Sequence, residues 1–121
     1  MSVTGLTISQ VQGATVAELT VPSVLDGPVI DPIATALYDL VDEQAVRKLV
    51  VDFHNVSFLA SQMIGILVAL DNKARAIKGQ VVLVGLRENL MKVFKITRLD
   101  KRLSFAKNEE GALRMLGIEP K

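Results

Sequence analysis

The chain has 121 residues, enough for one domain of ordinary size, and half of them are hydrophobic. It has no cysteine and one histidine, which excludes a disulfide scaffold, a thiolate zinc site and a cysteine nucleophile. Charge is unevenly spread, with two basic and seven acidic residues over 1–60 but twelve basic and six acidic over 61–121, and the net charge of +1 argues against strong nucleic-acid binding. Because no linker rich in Pro, Gly or Ser divides these halves, we predict a single domain over 1–121.

Signals for export or membrane insertion are missing from the sequence pattern. The first 17 residues have no charged side chain, so the basic start of a secretory signal is absent. The longest uncharged run, 53–70, has nearly the length of a membrane span but is broken by His54, Asn55, Ser57, Ser61 and Gln62. We therefore expect a cytoplasmic protein with no membrane partner.

The first predicted elements are two strands joined into an antiparallel hairpin. Leu6–Val11 and Ala14–Thr20 are rich in residues that favour strands, and Gln12-Gly13 between them is typical of a tight turn. Residues 21–30 contain two prolines and a glycine, which favour irregular backbone. We predict a loop over this segment, before the first helix.

Asp31 is the predicted cap of the first helix. Its carboxylate can accept hydrogen bonds from the free N–H groups of the first turn, and Pro32 after it has no N–H to satisfy. The helix extends to about residue 44, with a buried face formed by Ile33, Leu37, Leu40 and Val41. Lys48–Phe53 follows as a strand whose continuous apolar centre predicts burial on both faces.

Ser61–Lys78 is the longest predicted helix. Its core stripe has heptad-like spacing and consists of Met63, Leu67, Leu70, Ala74 and Ile77. Asp71 is expected to lie off that stripe, with the other polar residues of the helix. Gly79 is predicted to end the helix in a left-handed conformation, which glycine adopts without a steric penalty.

Four shorter elements complete the predicted chain. They are the strands Gln80–Gly85 and Leu103–Ala106 and the helices Glu88–Ile96 and Glu109–Leu116, with Asn108 as the cap of the last helix. Strands that are separated by crossover helices usually pair in parallel. The fold class is therefore α/β, with a mixed sheet of four or five strands and helices packed mainly on one face.

No constellation of residues indicates an enzyme. His54 stands alone as a loop histidine, and the glycines are scattered rather than grouped into a phosphate-binding loop. We predict no catalytic residue, no metal site and no cofactor. Asp26 and Asp31 share a segment with Gly27 that could hold a cation, although this combination is more typical of turns and helix caps.

A basic cluster near the end of the chain raises the question of nucleic-acid binding. It consists of Arg87, Lys92, Lys95, Arg98, Lys101 and Arg102. Phe94 belongs to an apolar stripe with Leu90 and Val93, so no aromatic side chain is left in the cluster for base stacking. The pattern favours a solvated helix face, and we expect no nucleic-acid partner.

Residues 49–67 combine a buried strand, a short loop and a helix that starts with a serine. This segment resembles the STAS domain of bacterial anti-sigma factor antagonists, and Phe58, Leu59, Ser61, Gly65 and Leu67 match the family pattern. The resemblance continues in the strand after Gly79 and in 93–100, where Thr-x-Leu-Asp is similar to the family's segment. It covers about residues 6–116.

The resemblance implies a protein-interaction module that binds an anti-sigma factor of the serine-kinase type and is phosphorylated on Ser61. The sequence departs from the family at Ala60, where Asp is usual, and at Gln62-Met63, where Ser or Thr and then Gly are usual. The Ala60 departure puts phosphorylation in question, although not the fold. The candidate partner-binding residues are Asp26, Ala60, Ser61, Gln62, Ile64, Gly65 and Val68.

The position of Ser61 at a predicted helix start also favours a role for its side chain, independently of the resemblance. Its hydroxyl is predicted to cap the helix, and a phosphate there would meet the same N–H groups and the positive end of the helix dipole. A partner covering this position would then face about two negative charges. Ile64 and Val68 are expected to be partly exposed, and Gly65 to admit a partner backbone. The alternative is that Ser61 is only a cap on a helix buried on two sides.

Two functions from different classes remain open at this point. The first is a module of sigma-factor regulation that binds an anti-sigma factor and thereby releases the sigma factor. The second is a domain that senses a ligand, either a nucleotide or a lipid, or a scaffold that assembles with other STAS-domain proteins. An enzyme is disfavoured by the absence of a catalytic constellation.

Overall fold

In the computed structural model, which describes residues 2–3 and 5–118, strands and helices alternate along most of the chain. The strands are β1 (Ser2–Val3), β2 (Leu6–Val11), β3 (Ala14–Leu19), β4 (Ser23–Val24), β5 (Lys48–Asp52), β6 (Phe58–Leu59), β7 (Gln80–Val84) and β8 (Ser104–Ala106). The helices are α1 (Gly27–Asp42), α2 (Ser61–Ala76), α3 (Glu88–Ile96), α4 (Leu99–Arg102) and α5 (Glu109–Met115). None of the described helices has the length and apolar character needed to span a bilayer.

Six strands of the described chain form one mixed sheet in the order β1-β2-β3-β5-β7-β8. The first three pair antiparallel, whereas β3, β5, β7 and β8 pair in parallel because helices connect them. The predicted hairpin is confirmed, with Gln12 and Gly13 both at positive φ in its turn. The predicted mixed α/β sheet is confirmed, and the two-residue β1 extends its five longer strands at one edge.

The two central strands are buried because they carry aliphatic side chains on both faces. Leu49 and Val51 of β5 belong to the main core, which α1, α2 and α3 cover, whereas Val50 faces the opposite side. That opposite side is covered by α5 through Ala112 and Leu113. The expectation that the helices pack mainly on one face is confirmed.

Residues 21–30, predicted as a loop, contain a short strand and a helix start. β4 pairs in parallel with β6 in a ribbon separate from the main sheet. The Ser57 N–H donates to the Pro22 carbonyl at 2.8 Å, and the Ala60 N–H donates to the Val24 carbonyl at 2.9 Å. A two-residue strand is too short to have a periodic pattern, which is why the sequence did not predict it.

The first helix begins about one turn earlier than predicted. Its N-cap is Asp26, whose side chain accepts from the Val29 N–H at 3.4 Å, so the prediction that Asp31 is the cap is wrong. Asp31 directly precedes a proline and Asp26 precedes one by two positions, so the local pattern allows either aspartate as the cap. The earlier start brings Ile30, which is fully buried, onto the core face of the helix, and Pro32 lies inside it.

The end of α2 also differs from the prediction. The left-handed residue is Lys78, with φ 61°, and not Gly79. Gly79 is required for another reason, since a Cβ there would lie 2.8 Å from the Arg47 Cα and carbonyl oxygen. The glycine therefore permits a close approach of two backbones next to the helix end.

Asp71 is buried, whereas the sequence predicts that it lies off the core stripe with the other polar residues of α2. It is 2% exposed. Its Oδ2 accepts from Arg75 Nε at 2.8 Å and lies 3.7 Å from Arg102 Nη1. One oxygen of this buried carboxylate thus lies near two guanidinium groups, and the contact with Arg102 links α2 to the end of α4.

The last part of the chain follows its prediction closely. β8 and α5 occur within one residue of their predicted bounds. Asn108 caps α5, accepting from the Gly111 N–H at 2.9 Å, and Gly117 ends the helix at φ 79°. The short helix α4, by contrast, has no apolar period long enough to predict.

Truncating the core stripe of α2 tests this packing. Leu67 is 1% exposed, and we expect Leu67→Ala to lower the free energy of unfolding by about 2–5 kcal/mol, because it removes transfer energy and leaves a cavity. The measurement is denaturant unfolding, with Ile66→Ala, at a half-buried neighbouring position, as the matched control that loses less. A loss below about 0.5 kcal/mol for Leu67→Ala would show that another face of α2 carries the core.

Candidate functional site

The amino ends of α1, α2 and α3 lie close together at the edge where the parallel strands end. The β4–β6 pairing sets α1 and α2 side by side, since α1 follows β4 and α2 follows β6. Asn89 in the first turn of α3 donates from Nδ2 to the Ser57 carbonyl at 3.0 Å, which attaches α3 to the same segment. Helix amino ends carry partial positive charge, so this edge favours an acidic group.

Ser61 is exposed at this edge as the first helical residue of α2. The N-cap is Ala60, at φ −75° and ψ 153°, and its methyl group makes no cap hydrogen bond. The prediction that the Ser61 hydroxyl caps the helix is wrong, because the serine lies one position inside it. The Met63 and Ile64 N–H groups donate to the Ala60 carbonyl, so in the described chain the N–H groups of Ser61 and Gln62 are left for an acceptor from outside the helix.

The predicted partner-binding residues of α2 divide between its solvent face and its core face. Gln62 and Gly65 are exposed, and nothing beyond the helix backbone lies within 4 Å of the position of a Gly65 Cβ. Val68 is half-buried. Ile64 is 9% exposed and belongs to the main core, so the expectation that it is partly exposed is wrong. The preceding residue, Met63, belongs to the same core.

Asp26 is brought to Ser61 by the ribbon. Val24 pairs with Leu59, and Asp26 and Ser61 each follow their strand residue by two positions. Asp26 is exposed and caps α1, whereas Ala60 is half-buried and leaves α2 without a side-chain cap. Two helix starts, one with a carboxylate and one with a hydroxyl, therefore lie next to each other.

Two apolar residues that sequence reasoning did not select are exposed beside Ser61. Leu25 follows β4 and is 53% exposed, and Phe58 of β6 is 59% exposed. Their neighbours Val24 and Leu59 face inward and pack in the core, because side chains alternate along a strand. Phe58 matched the family pattern, but no signal in the sequence distinguished its outward side from the inward one.

His54 organises the loop that leads to β6. Its Nε2 lies 3.2 Å from Glu18 Oε2 and its Nδ1 lies 3.0 Å from Asp52 Oδ1. The same Asp52 oxygen accepts from the His54 N–H at 2.9 Å, and Asn55 Nδ2 donates to Glu18 at 3.2 Å. These contacts attach the loop between β5 and β6 to the ends of β3 and β5. In the described ranges, no group of three or more His, Cys, Asp and Glu residues has the arrangement of a metal site.

Comparison with protein families gives one match that covers most of the chain. The model described as the STAS domain matches residues 7–112. The matched region includes the two ribbon strands, all three helix starts at this edge and Ser61. A comparison with curated proteins finds no match.

Solved structures share the fold along almost the whole chain. An anti-sigma factor antagonist from Mycobacterium paratuberculosis has a TM-score of 0.81 at 21% identity, covering 93% of this chain and 92% of that one. A STAS domain protein from Planctomyces limnophilus has a TM-score of 0.77 at 18% identity, covering 92% and 96%. Bacillus SpoIIAA in its phosphorylated form has a TM-score of 0.70 at 21% identity, covering 91% and 98%.

The missing cap of α2 leads to a stability prediction. Ala60 already has the extended backbone of an N-cap, so Ala60→Asp should raise the free energy of unfolding by about 1 kcal/mol. Asn108→Ala removes the existing cap of α5 and should lower it by a similar amount. Denaturant unfolding measures both variants. An Ala60→Asp protein that is no more stable than the original would contradict the assignment of residue 60 as the cap position.

Proposed function

The chain belongs to the STAS domain family, and on that basis we propose that it is an anti-sigma factor antagonist that binds an anti-sigma factor and releases the sigma factor. The single observation that carries this proposal is the exposed Ser61 at the start of α2, with exposed apolar side chains on the adjacent ribbon. We propose further that the partner is a serine kinase that phosphorylates Ser61. The protein would act in the cytoplasm.

The surface around Ser61 has the composition of a protein-binding site. Leu25 and Phe58 supply exposed apolar area, and a partner that covers them gains the free energy of removing that area from water. Gln62 and Asp26 supply polar groups around them. Gly65 leaves space on the same helix for a close approach of the partner backbone. An apolar centre with a polar rim is typical of protein interfaces.

Phosphorylation of Ser61 would change this surface without disturbing the fold. The phosphate would meet free N–H groups and the positive end of α2, which both stabilise an anion. A bound partner would have to cover about two negative charges and remove water from them. The modification is therefore compatible with the folded protein and incompatible with the complex.

Ala60 has a physical role in this proposal, although the family pattern has Asp there. An aspartate at 60 would cap α2 and take N–H groups that a phosphate could use. It would also place a second negative charge beside the phosphate. With Ala60, the first turn of α2 stays available to the phosphate alone, so the departure from the family pattern does not remove the proposed switch.

The charge switch is tested by two substitutions of one residue. We expect Ser61→Asp to keep the fold, because a carboxylate in the first turn is favoured by the helix dipole. It should weaken binding of the anti-sigma factor by about 30-fold to several thousand-fold, as an unpaired charge at an interface does. Ser61→Ala should bind like the original protein and unfold within about 0.5 kcal/mol of it, since Ser61 makes no cap hydrogen bond.

The partner for this titration is recovered from the native host by affinity capture with the original chain. The captured protein is identified by mass spectrometry, purified, and then titrated against each variant and incubated with ATP. Phosphate on Ser61 is the expected product. Ser9→Asp, the same change at an exposed serine on β2, is the control that should bind normally. Equal affinities for all variants, or a partner that is no anti-sigma factor, would refute the proposal.

The apolar part of the surface is tested separately. Phe58→Ala and Leu25→Ala should each weaken partner binding by about tenfold or more, because they remove exposed area that the partner covers. Their unfolding free energies should change by less than about 1 kcal/mol, since both side chains are more than half exposed. Met115→Ala is the matched control, at an exposed apolar residue of α5 on the other face of the sheet. Unchanged affinity for Phe58→Ala would exclude the ribbon from the interface.

A further inference from the structure

A groove of about 490 Å³ lies between α1 and the antiparallel side of the sheet. Its lining residues are Ile8, Asp31, Pro32, Thr35, Ala36, Asp39 and Gln44. Residues 26–43 contain five acidic residues and no basic one. In the described chain, neither Asp31 nor Asp39 forms a salt bridge, although Asp39 accepts from Gln44 Nε2 at 2.9 Å. The groove therefore offers an apolar lining with negative charge along it.

α3 carries an exposed apolar side chain among basic residues, which is complementary to the acidic groove. Ile96 is 81% exposed, which is the highest value among the exposed large apolar residues of the described chain. Lys95 precedes it and Lys92 lies one helical turn before it, and both are exposed. Residues 87–102 contain six basic and two acidic residues. Ile96 is thus an apolar projection surrounded by positive charge.

The groove and the projection lie at opposite ends of the molecule. Ile8 places the groove beside β2, near the β1 edge of the sheet. α3 packs beside β8 at the other edge, where the rings of Phe94 and Phe105 meet edge to face with centroids 5.2 Å apart. One copy cannot bring its own Ile96 to its own groove, but a second copy can.

We propose that the chain associates head to tail with a second copy, with Ile96 of one copy in the α1 groove of the next. Lys92 and Lys95 then face Asp31 and Asp39 of the neighbouring copy. The occupant is identified by charge complementarity, since the projection and the groove have opposite charge and one chain carries both. The overall net charge of +1 adds almost no repulsion between copies.

The geometry determines how such an assembly grows. A head-to-tail contact uses two different surfaces, so each added copy leaves one groove and one projection free. The assembly therefore extends beyond a dimer as concentration rises, unless the contact closes a ring. Because Lys92, Lys95 and Asp31 are exposed, the association should weaken as salt rises. The contact does not include Ser61 and does not depend on the proposed function.

Each of two substitutions at exposed positions blocks one of the two surfaces, the groove or the projection. Thr35→Arg fills the groove with a long cationic side chain that repels Lys92 and Lys95, and Ile96→Glu replaces the projection with an anion that meets Asp31 and Asp39. Both positions are exposed on helices, so folding should be retained, which circular dichroism checks. Met115→Glu, at an exposed apolar residue on the other face, is the matched control. Sedimentation velocity at low and high salt is the measurement.

The original chain and Met115→Glu should form species larger than a dimer as concentration rises at low salt, and added salt should reduce them. Each blocked variant alone should stay monomeric or associate at least about tenfold more weakly. An equimolar mixture of the two should form a 1:1 complex that grows no further, because each variant retains the surface that the other lacks. Ser61→Asp should assemble like the original chain, which separates this test from that of the proposed function.

Three outcomes would overturn the proposal. The first is an original chain that stays monomeric up to the order of 1 mM at low salt, even if Ile96→Glu changes binding to another protein or to anionic vesicles. The second is a blocked variant that assembles like the original chain. The third is a mixture of the two blocked variants that stays monomeric although each variant is folded.

Discussion

The parallel pairing of β4 with β6 is the constraint on which the candidate site depends. Two backbone hydrogen bonds, from Ser57 to Pro22 and from Ala60 to Val24, join segments that are more than thirty residues apart in the chain. They place the starts of α1 and α2 side by side and turn Leu25 and Phe58 to solvent. The buried Val24 and Val56 anchor this arrangement to the core. The position of Ser61 therefore follows from backbone pairing, and not from any contact of the serine itself.

The amino end of α2, which follows β6 of this ribbon, has no side-chain cap. Asp26 caps α1 and Asn108 caps α5, whereas Ala60 gives α2 no acceptor. A helix without a side-chain cap is less stable at its amino end, and in α2 the N–H groups of Ser61 and Gln62 stay free to bind an anion. Functional sites often contain local features that lower stability. The uncapped start of α2, beside the exposed Ser61 and the apolar ribbon, is such a feature.

Few ion pairs of the described chain join its acidic first half to its basic second half. Lys73 Nζ lies 2.8 Å from Asp42 Oδ2 and joins the basic second half to the acidic first half across α2 and α1. Arg75 and Arg102 pair with Asp71, which belongs to their own half. Most of the acidic residues of α1 and the basic residues of α3 remain on the surface, at opposite ends of the sheet. This separation gives the molecule two complementary ends.

The sequence by itself determined the elements whose signal is long and periodic. The hairpin, β5, β7, the core stripe of α2 and the capped α5 all follow from local propensity and apolar period, which act between near neighbours in the chain. The tertiary structure decided what depends on residues far apart: the β4–β6 ribbon, the burial of Asp71 and Ile64, and the exposure of Leu25 and Phe58. It also decided between Asp26 and Asp31 as the cap of α1, because only the earlier start buries Ile30 on the core face. Local pattern leaves such choices open, since burial is a property of the whole fold and not of a segment.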